Sequence, residues 1–183
     1  MKKELSVYLD LLRLGAALLV FASHMTFAQF TGGIVPYQGD WAAAGVAAFF
    51  VLSGYVISYV ADRKERALGT YAVSRMARIY SVALPALALT IGVDLLSLHL
   101  GWPRPVPVYQ YRSFAKYLIA ALTFCDQAGP LHEPTFGNGV FWSLDYEVWY
   151  YLIFAAANYY TGIRRAVLVA ALLRLRNKIP HRI

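Results

Sequence analysis

Residues 42–61 read AAAGVAAFFVLSGYVISYVA, an apolar stretch without a charged side chain. A helix of about 20 mostly apolar residues crosses a bilayer core, so this stretch predicts a transmembrane helix. The rest of the chain has the same character, since 59% of its 183 residues are hydrophobic and 15% are charged. Soluble domains have about 45–50% apolar and about 25% charged residues. The composition therefore predicts an integral membrane protein.

Further apolar stretches extend this prediction to the whole chain. The predicted spans cover residues 7–30, 42–61, 79–98 and 140–160, and the shorter stretch 114–124 predicts an interfacial or re-entrant helix. The expected fold class is all-α, a polytopic transmembrane helix bundle with about four spans and one short helix. Lys2 and Lys3 ahead of the first span also fit a signal peptide, but Arg13 interrupts that span and favours a retained helix.

The distribution of basic residues predicts the orientation. With a cytoplasmic N-terminus, most of the 17 Lys and Arg residues lie in cytoplasmic segments. The outside segments then hold only Arg104, Arg112 and Lys116. This asymmetry is the positive-inside pattern of membrane proteins. It also accounts for the net charge of +7, so no nucleic-acid partner is expected. The predicted location is a bacterial inner (plasma) membrane.

Three ionisable residues lie inside predicted spans, where a charge is costly and usually functional or paired. Arg13 and His24 are eleven residues apart, which places them on one helix face about 16 Å apart. The fourth span enters from the outside, so Glu147 is expected in the outer half of the membrane, at the depth of His24. A carboxylate beside an imidazole suits general-base catalysis on hydroxyl groups. The residues alone leave three alternatives open, namely a snorkelling arginine, helix packing and an ion or proton pathway.

Two other motifs have both a structural and a functional interpretation. Ser53 and Gly54 are small residues that let helices approach closely, while Ser53 and Tyr55 are also candidates to contact a substrate. Arg75 and Arg78 share a helix face at a spacing of three residues and are able to clamp a phosphate together. The alternative is that both arginines anchor the cytoplasmic side of the protein.

The sequence predicts no metal site. The single cysteine, Cys125, excludes a site with several thiolate ligands. The four histidines lack the spacing of metal ligands: His24, His99, His132 and His181.

Four motifs together resemble the acyltransferase-3 family of integral membrane acyltransferases. In chain order they are LDLLR at 9–13 followed by His24, FFVLSGY at 49–55, RMARIY at 75–80, and WSLDYE at 142–147 with YYL at 150–152. The resemblance implies transfer of an acetyl or other acyl group to a hydroxyl of a surface glycan or small acceptor. It implies acyl-coenzyme A as the donor substrate, no bound cofactor, and the lipid bilayer as the surroundings.

The resemblance also assigns tasks to residues of this chain. Arg13 and His24 correspond to functional residues of the first helix, with His24 as the expected base. Arg75 and Arg78 correspond to contacts with the acyl donor, and Glu147 to an acid of the membrane-embedded site. Direct transfer and transfer through an acylated intermediate both remain open.

The chain departs from the family pattern in two respects. Ser81 stands where members often have a proline, and members usually have about ten membrane helices. Residues 1–161 are therefore expected to be the N-terminal part of a membrane acyltransferase domain, and residues 162–183 a basic tail left by truncation or a frameshift. The alternatives are a transporter or ion-pathway subunit and a non-functional fragment.

Overall fold

The computed structural model describes residues 3–27, 31–36, 41–101, 113–125 and 135–177. These residues form six helices and no strand. The helices are α1 (Lys3–Met25), α2 (Trp41–Arg63), α3 (Leu68–Leu100), α4 (Phe114–Thr123), α5 (Trp142–Tyr159) and α6 (Gly162–Asn177). The predicted all-α class is confirmed. Residues 28–30, the end of the first predicted span, lie outside the described residues.

Three of the described helices, α1, α2 and α3, are long and apolar enough to cross a membrane. The fourth predicted span forms α5, whose 18 residues do not meet the same criterion. The reason is its composition, because Asp145 and Glu147 and several aromatic side chains occupy its first half. The predicted short helix forms α4.

The chain divides into two compact units at residue 64. In the first unit, α1 packs against α2, and Gly45 marks the closest approach. A Cβ atom at Gly45 would lie 2.6 Å from Val20 Cγ2 and 2.9 Å from the carbonyl oxygen of Ala16. Nothing in the described residues lies within 4 Å of a Cβ atom at Gly54. The prediction that Gly54 permits close packing is therefore wrong, because Gly45 is the glycine that faces α1.

The second unit is built around α3, which has 33 residues. At 1.5 Å per residue this helix is about 50 Å long, well beyond the roughly 30 Å of a bilayer core. The predicted span 79–98 is its C-terminal part, and the helix continues backwards without a break through Arg78 and Arg75. It ends at Gly101, whose φ of 66° is left-handed and whose N–H caps the carbonyl of Leu98.

Helix α5 packs against α3 in the antiparallel direction. Near the start of α3, the hydroxyl of Tyr71 donates to the carbonyl oxygen of Tyr151 at 3.1 Å. Further along α3, Arg78 meets Glu147, which lies earlier in α5, with 3.8 Å between Arg78 Nε and Glu147 Oε1. Residue numbers thus rise along one helix as they fall along the other.

The segment before α5 reaches the second half of α3. The N–H of Gly137 donates to Asp94 Oδ2 at 2.8 Å, and Asn138 Nδ2 donates to Thr90 Oγ1 at 3.1 Å. A Cβ atom at Gly137 would lie 2.3 Å from Asp94 Oδ1, so only glycine fits this contact. Non-helical backbone is tolerated at membrane depth where protein buries it, and these bonds supply partners for it.

Helix α4 follows the apolar part of α3. Near its start, the ring of Phe114 contacts that of Phe136, with 5.4 Å between centroids, and Phe136 is fully buried. In its last turn, the carbonyl oxygen of Leu122 accepts a hydrogen bond from the hydroxyl of Tyr80 at 2.7 Å. Helix α4 therefore lies alongside α3, and the choice between a re-entrant and an interfacial helix stays a prediction.

Candidate functional site

The first unit contains the two ionisable residues of α1. Because α1 is unbroken from Lys3 to Met25, the helix geometry places Arg13 and His24 on one face about 16 Å apart. Arg13 Nη1 lies 3.3 Å from Asp10 Oδ1, one turn earlier. The second terminal nitrogen of Arg13 is buried and has no hydrogen-bond partner within the described residues. A carboxylate therefore partly neutralises this guanidinium in an apolar helix.

The ring of His24 is fixed by its own helix. His24 Nδ1 lies 2.8 Å from the carbonyl oxygen of Val20. A carbonyl oxygen only accepts, so Nδ1 carries the proton and donates it. In the neutral imidazole, Nε2 then keeps its lone pair and serves as the acceptor. Phe27 packs edge-on against the ring, with 5.4 Å between centroids. The main chain thus favours the tautomer in which Nε2 is the acceptor.

In the second unit, Glu147 has two partners. Its Oε1 accepts a short hydrogen bond from the hydroxyl of Tyr151, one turn later, and lies 3.8 Å from Arg78 Nε. The carboxylate is half-buried, with 21% of its side chain exposed. His24 belongs to the other unit, so the predicted meeting of His24 and Glu147 stays a prediction.

Glu147 lies beside Arg78 in the first half of α3. The reason is that residues 137–138 bind the second half of that helix, so that α5 begins partway along it. A cytoplasmic Arg78 and an outer-half Glu147 are therefore not compatible with each other, because the two side chains are in contact. The depth of each in the membrane stays a prediction.

The two arginines of the RMAR motif have different surroundings. Arg75 Nη2 lies 2.8 Å from Glu65 Oε1, and the two side chains are only 9% and 8% exposed. The Arg75 guanidinium also lies over the ring of Tyr71, 5.6 Å from its centroid, and 5.9 Å from that of Tyr151. The side chain of Arg78 is 44% exposed. The structure thus commits Arg75 to an internal ion pair and leaves Arg78 open to a ligand.

Ser53 and Tyr55 lie on α2, in the first unit. The hydroxyl oxygen of Ser53 is buried without a hydrogen-bond partner within the described residues. Tyr55 is 49% exposed. A hydroxyl without a protein partner is free to bond a ligand, but the predicted contact of both residues with a substrate stays a prediction.

No group of three or more His, Cys, Asp and Glu side chains in the described ranges is arranged to hold a metal ion. His132 and His181, considered as ligands in the sequence analysis, lie outside those ranges.

Several residues that surround Arg75 were missed in the sequence analysis. Glu65 is the buried partner of Arg75, and the hydroxyl of Tyr159 donates to its carbonyl oxygen. Tyr71 and Tyr151 provide the flanking rings. One signal for Glu65 was present in the sequence, since it is the acid within the basic run RKER at 63–66. An acid among bases is a candidate partner for a nearby arginine.

Comparison with known proteins identifies the class of chemistry. Residues 6–175 match the model of a family described as an acyltransferase domain. The matched range contains both units' candidate residues and extends into α6. Neither the curated proteins nor the solved structures include a match to this chain.

Proposed function

We propose that this chain, which belongs to the acyltransferase-3 family, transfers an acyl group from a coenzyme A thioester to a hydroxyl group. The family membership makes it an acyltransferase and an integral membrane protein, and this single observation carries the proposal. The thioester donor, an acetyl or other acyl group, and a surface glycan or small molecule as acceptor are the finer parts of the proposal.

His24 supports the proton step of this reaction. A neutral alcohol is a weak nucleophile, and a base that removes its proton accelerates attack. The lone pair of His24 Nε2 takes the hydroxyl proton, the oxygen bonds to the thioester carbonyl carbon, and the carbon–sulfur bond breaks. Coenzyme A leaves as a thiolate and recovers a proton, so that the products are an ester and free coenzyme A. Because Val20 already holds Nδ1, this step needs no carboxylate beside the imidazole.

Arg78 supports the donor site. Coenzyme A carries several phosphates, and guanidinium groups bind phosphate through paired N–H donors. Arg78 is the more exposed arginine of the RMAR motif and lies in the early turns of α3. The charge pattern places this end at the cytoplasm, where acyl-coenzyme A is made. We therefore assign Glu147, which lies beside Arg78, to the donor end of the protein.

The experiment uses membranes from cells that express the full chain. We supply acetyl-coenzyme A labelled in the acetyl group and measure label that hydroxylamine releases from acceptors, since hydroxylamine cleaves esters. The wild-type chain is expected to exceed membranes without it, and His24→Gln to lose transfer by a factor of about 100 or more, as loss of a general base does. His99→Gln is the matched control, because His99 is exposed near the end of α3. Label at background with the wild-type chain contradicts the proposal.

The proposed orientation has its own test. We expect a cytoplasmic N-terminus, which places Arg66 inside and Ile34, 86% exposed, outside. In a Cys125→Ser background, a membrane-impermeant maleimide added to intact cells should label Ile34→Cys and not Arg66→Cys. The reverse pattern contradicts the orientation.

A further inference from the structure

Of the two arginines of the RMAR motif, only Arg78 is exposed enough to meet a ligand. Arg75 is almost fully buried, bonded to Glu65 at 2.8 Å and placed over the rings of Tyr71 and Tyr151. Withdrawing it would leave the Glu65 carboxylate buried and unpaired, which is strongly unfavourable. Arg75 is therefore a structural residue, and an incoming anion meets Arg78.

The bond between Arg78 and Glu147 is loose. The 3.8 Å between Arg78 Nε and Glu147 Oε1 exceeds the roughly 2.7–2.9 Å of a charge-assisted hydrogen bond. In the described part of the chain, the guanidinium donates no side-chain hydrogen bond. With 44% of its side chain exposed, Arg78 is able to turn towards a ligand at little cost.

Glu147, in contrast, is held in place. The hydroxyl of Tyr151 bonds its Oε1, and Tyr151 is itself buried, with its carbonyl oxygen bonded by Tyr71. When Arg78 turns away, the carboxylate stays beside the site and repels a phosphate there.

We infer that Glu147 is a displaceable counter-ion of Arg78, and that the phosphate of an incoming donor replaces its carboxylate as the partner of the guanidinium. This inference deepens the proposed function and rests on it for the identity of the donor. It makes Glu147 a residue that lowers the affinity for the donor. A carboxylate that simply helped to bind the donor would have the opposite effect.

The experiment measures binding to the full chain purified in a neutral detergent. The probes are coenzyme A and inorganic pyrophosphate, titrated calorimetrically at about 0.15 M salt, where the Debye length is about 8 Å. Glu147→Gln keeps the shape and an acceptor for Tyr151 but removes the charge, and we expect it to tighten binding of both probes by about tenfold, the scale of one charged contact. Arg78→Gln should weaken both by about tenfold or more.

Two further variants separate local from general effects. Arg66→Gln removes the same charge from an exposed position in the same unit and should change binding by less than about twofold, since the charges of exposed groups are screened. Tyr151→Phe releases the carboxylate towards Arg78 and should weaken binding of both probes.

The outcomes are distinguishable. Tighter binding by Glu147→Gln with weaker binding by Arg78→Gln supports the inference. If pyrophosphate follows this pattern but coenzyme A does not bind, the inference stands and the proposed donor is wrong. If Glu147→Gln weakens binding, if Arg78→Gln binds like the wild type, or if the wild-type chain binds neither probe, the inference is overturned.

Discussion

The helices of the two units are held together in different ways. In residues 65–182, polar groups join helices to one another, as in the bonds of Tyr71 to Tyr151 and Tyr80 to Leu122. In residues 1–64, the helices pack through Gly45, while Ser23 and Ser53 keep buried hydroxyls without a partner within the described residues. The second unit also contains buried polar atoms without a hydrogen-bond partner within the described residues, among them Glu65 Oε2 and Arg75 Nε. The comparison therefore teaches that polar bonds between helices hold the second unit together, whereas close contact at a glycine holds α1 against α2 in the first.

The largest effect on stability is expected at the buried ion pair of the second unit. Arg75→Ala leaves Glu65 buried without its partner, and breaking such a pair costs about 3–5 kcal/mol. We expect loss of folded protein in mixed micelles of dodecyl sulfate and a neutral detergent, followed by tryptophan fluorescence. The double variant Arg75→Met with Glu65→Met removes both charges and should recover most of the loss. A single variant as stable as the wild type would show that the pair is not structural.

A smaller effect is expected at the glycine contact of the first unit. Gly45→Ala places a methyl group 2.6 Å from Val20 Cγ2 and 2.9 Å from a backbone oxygen, and overpacking of this kind costs about 1–3 kcal/mol. The same unfolding assay measures the change. Gly54→Ala is the matched control, because its new methyl group meets no described atom within 4 Å. Equal stability of the two variants would contradict the packing of α1 on α2.

The smallest effect sharpens the role of polar bonds in the second unit. Tyr71→Phe removes the hydroxyl that bonds Tyr151 but keeps the ring beside Arg75. A single intramolecular hydrogen bond contributes about 0.5–1.5 kcal/mol, and we expect a destabilisation within that range. Tyr8→Phe, at a 57% exposed tyrosine of α1, should change nothing measurable. A larger loss at Tyr8 than at Tyr71 would reverse the comparison.

Hydropathy was sufficient to predict α1, α2, α4, α5 and the apolar part of α3, because a span depends on the composition of one continuous segment. It did not predict α6 (Gly162–Asn177), which lies in the stretch expected to be a basic tail. It did not reveal that α3 extends back through Arg75, since a charged helix outside the apolar stretch has no hydropathy signal. It also did not reveal that Glu147 lies beside Arg78, because the contacts of residues 137–138 with α3 set where α5 begins.

The site residues show the same limit. The spacing of Arg13 and His24 predicts a shared helix face, and the unbroken α1 provides it. The bond from His24 to Val20 lies within one turn, but composition does not reveal which ring nitrogen makes it. The pairing of Arg75 with Glu65 depends on how the chain turns before α3. Such pairings follow from tertiary packing, which a local pattern does not encode.

The central claim is that His24 of the first unit carries the proton step and that Arg78 of the second unit binds the donor. The most direct test is the affinity of purified His24→Gln for coenzyme A, measured beside its acyl-transfer rate. We predict an affinity within about twofold of the wild type, because no charged contact with the donor is lost, together with transfer lowered by about 100-fold or more. A variant that loses donor binding, or one that transfers at the wild-type rate, would contradict the claim.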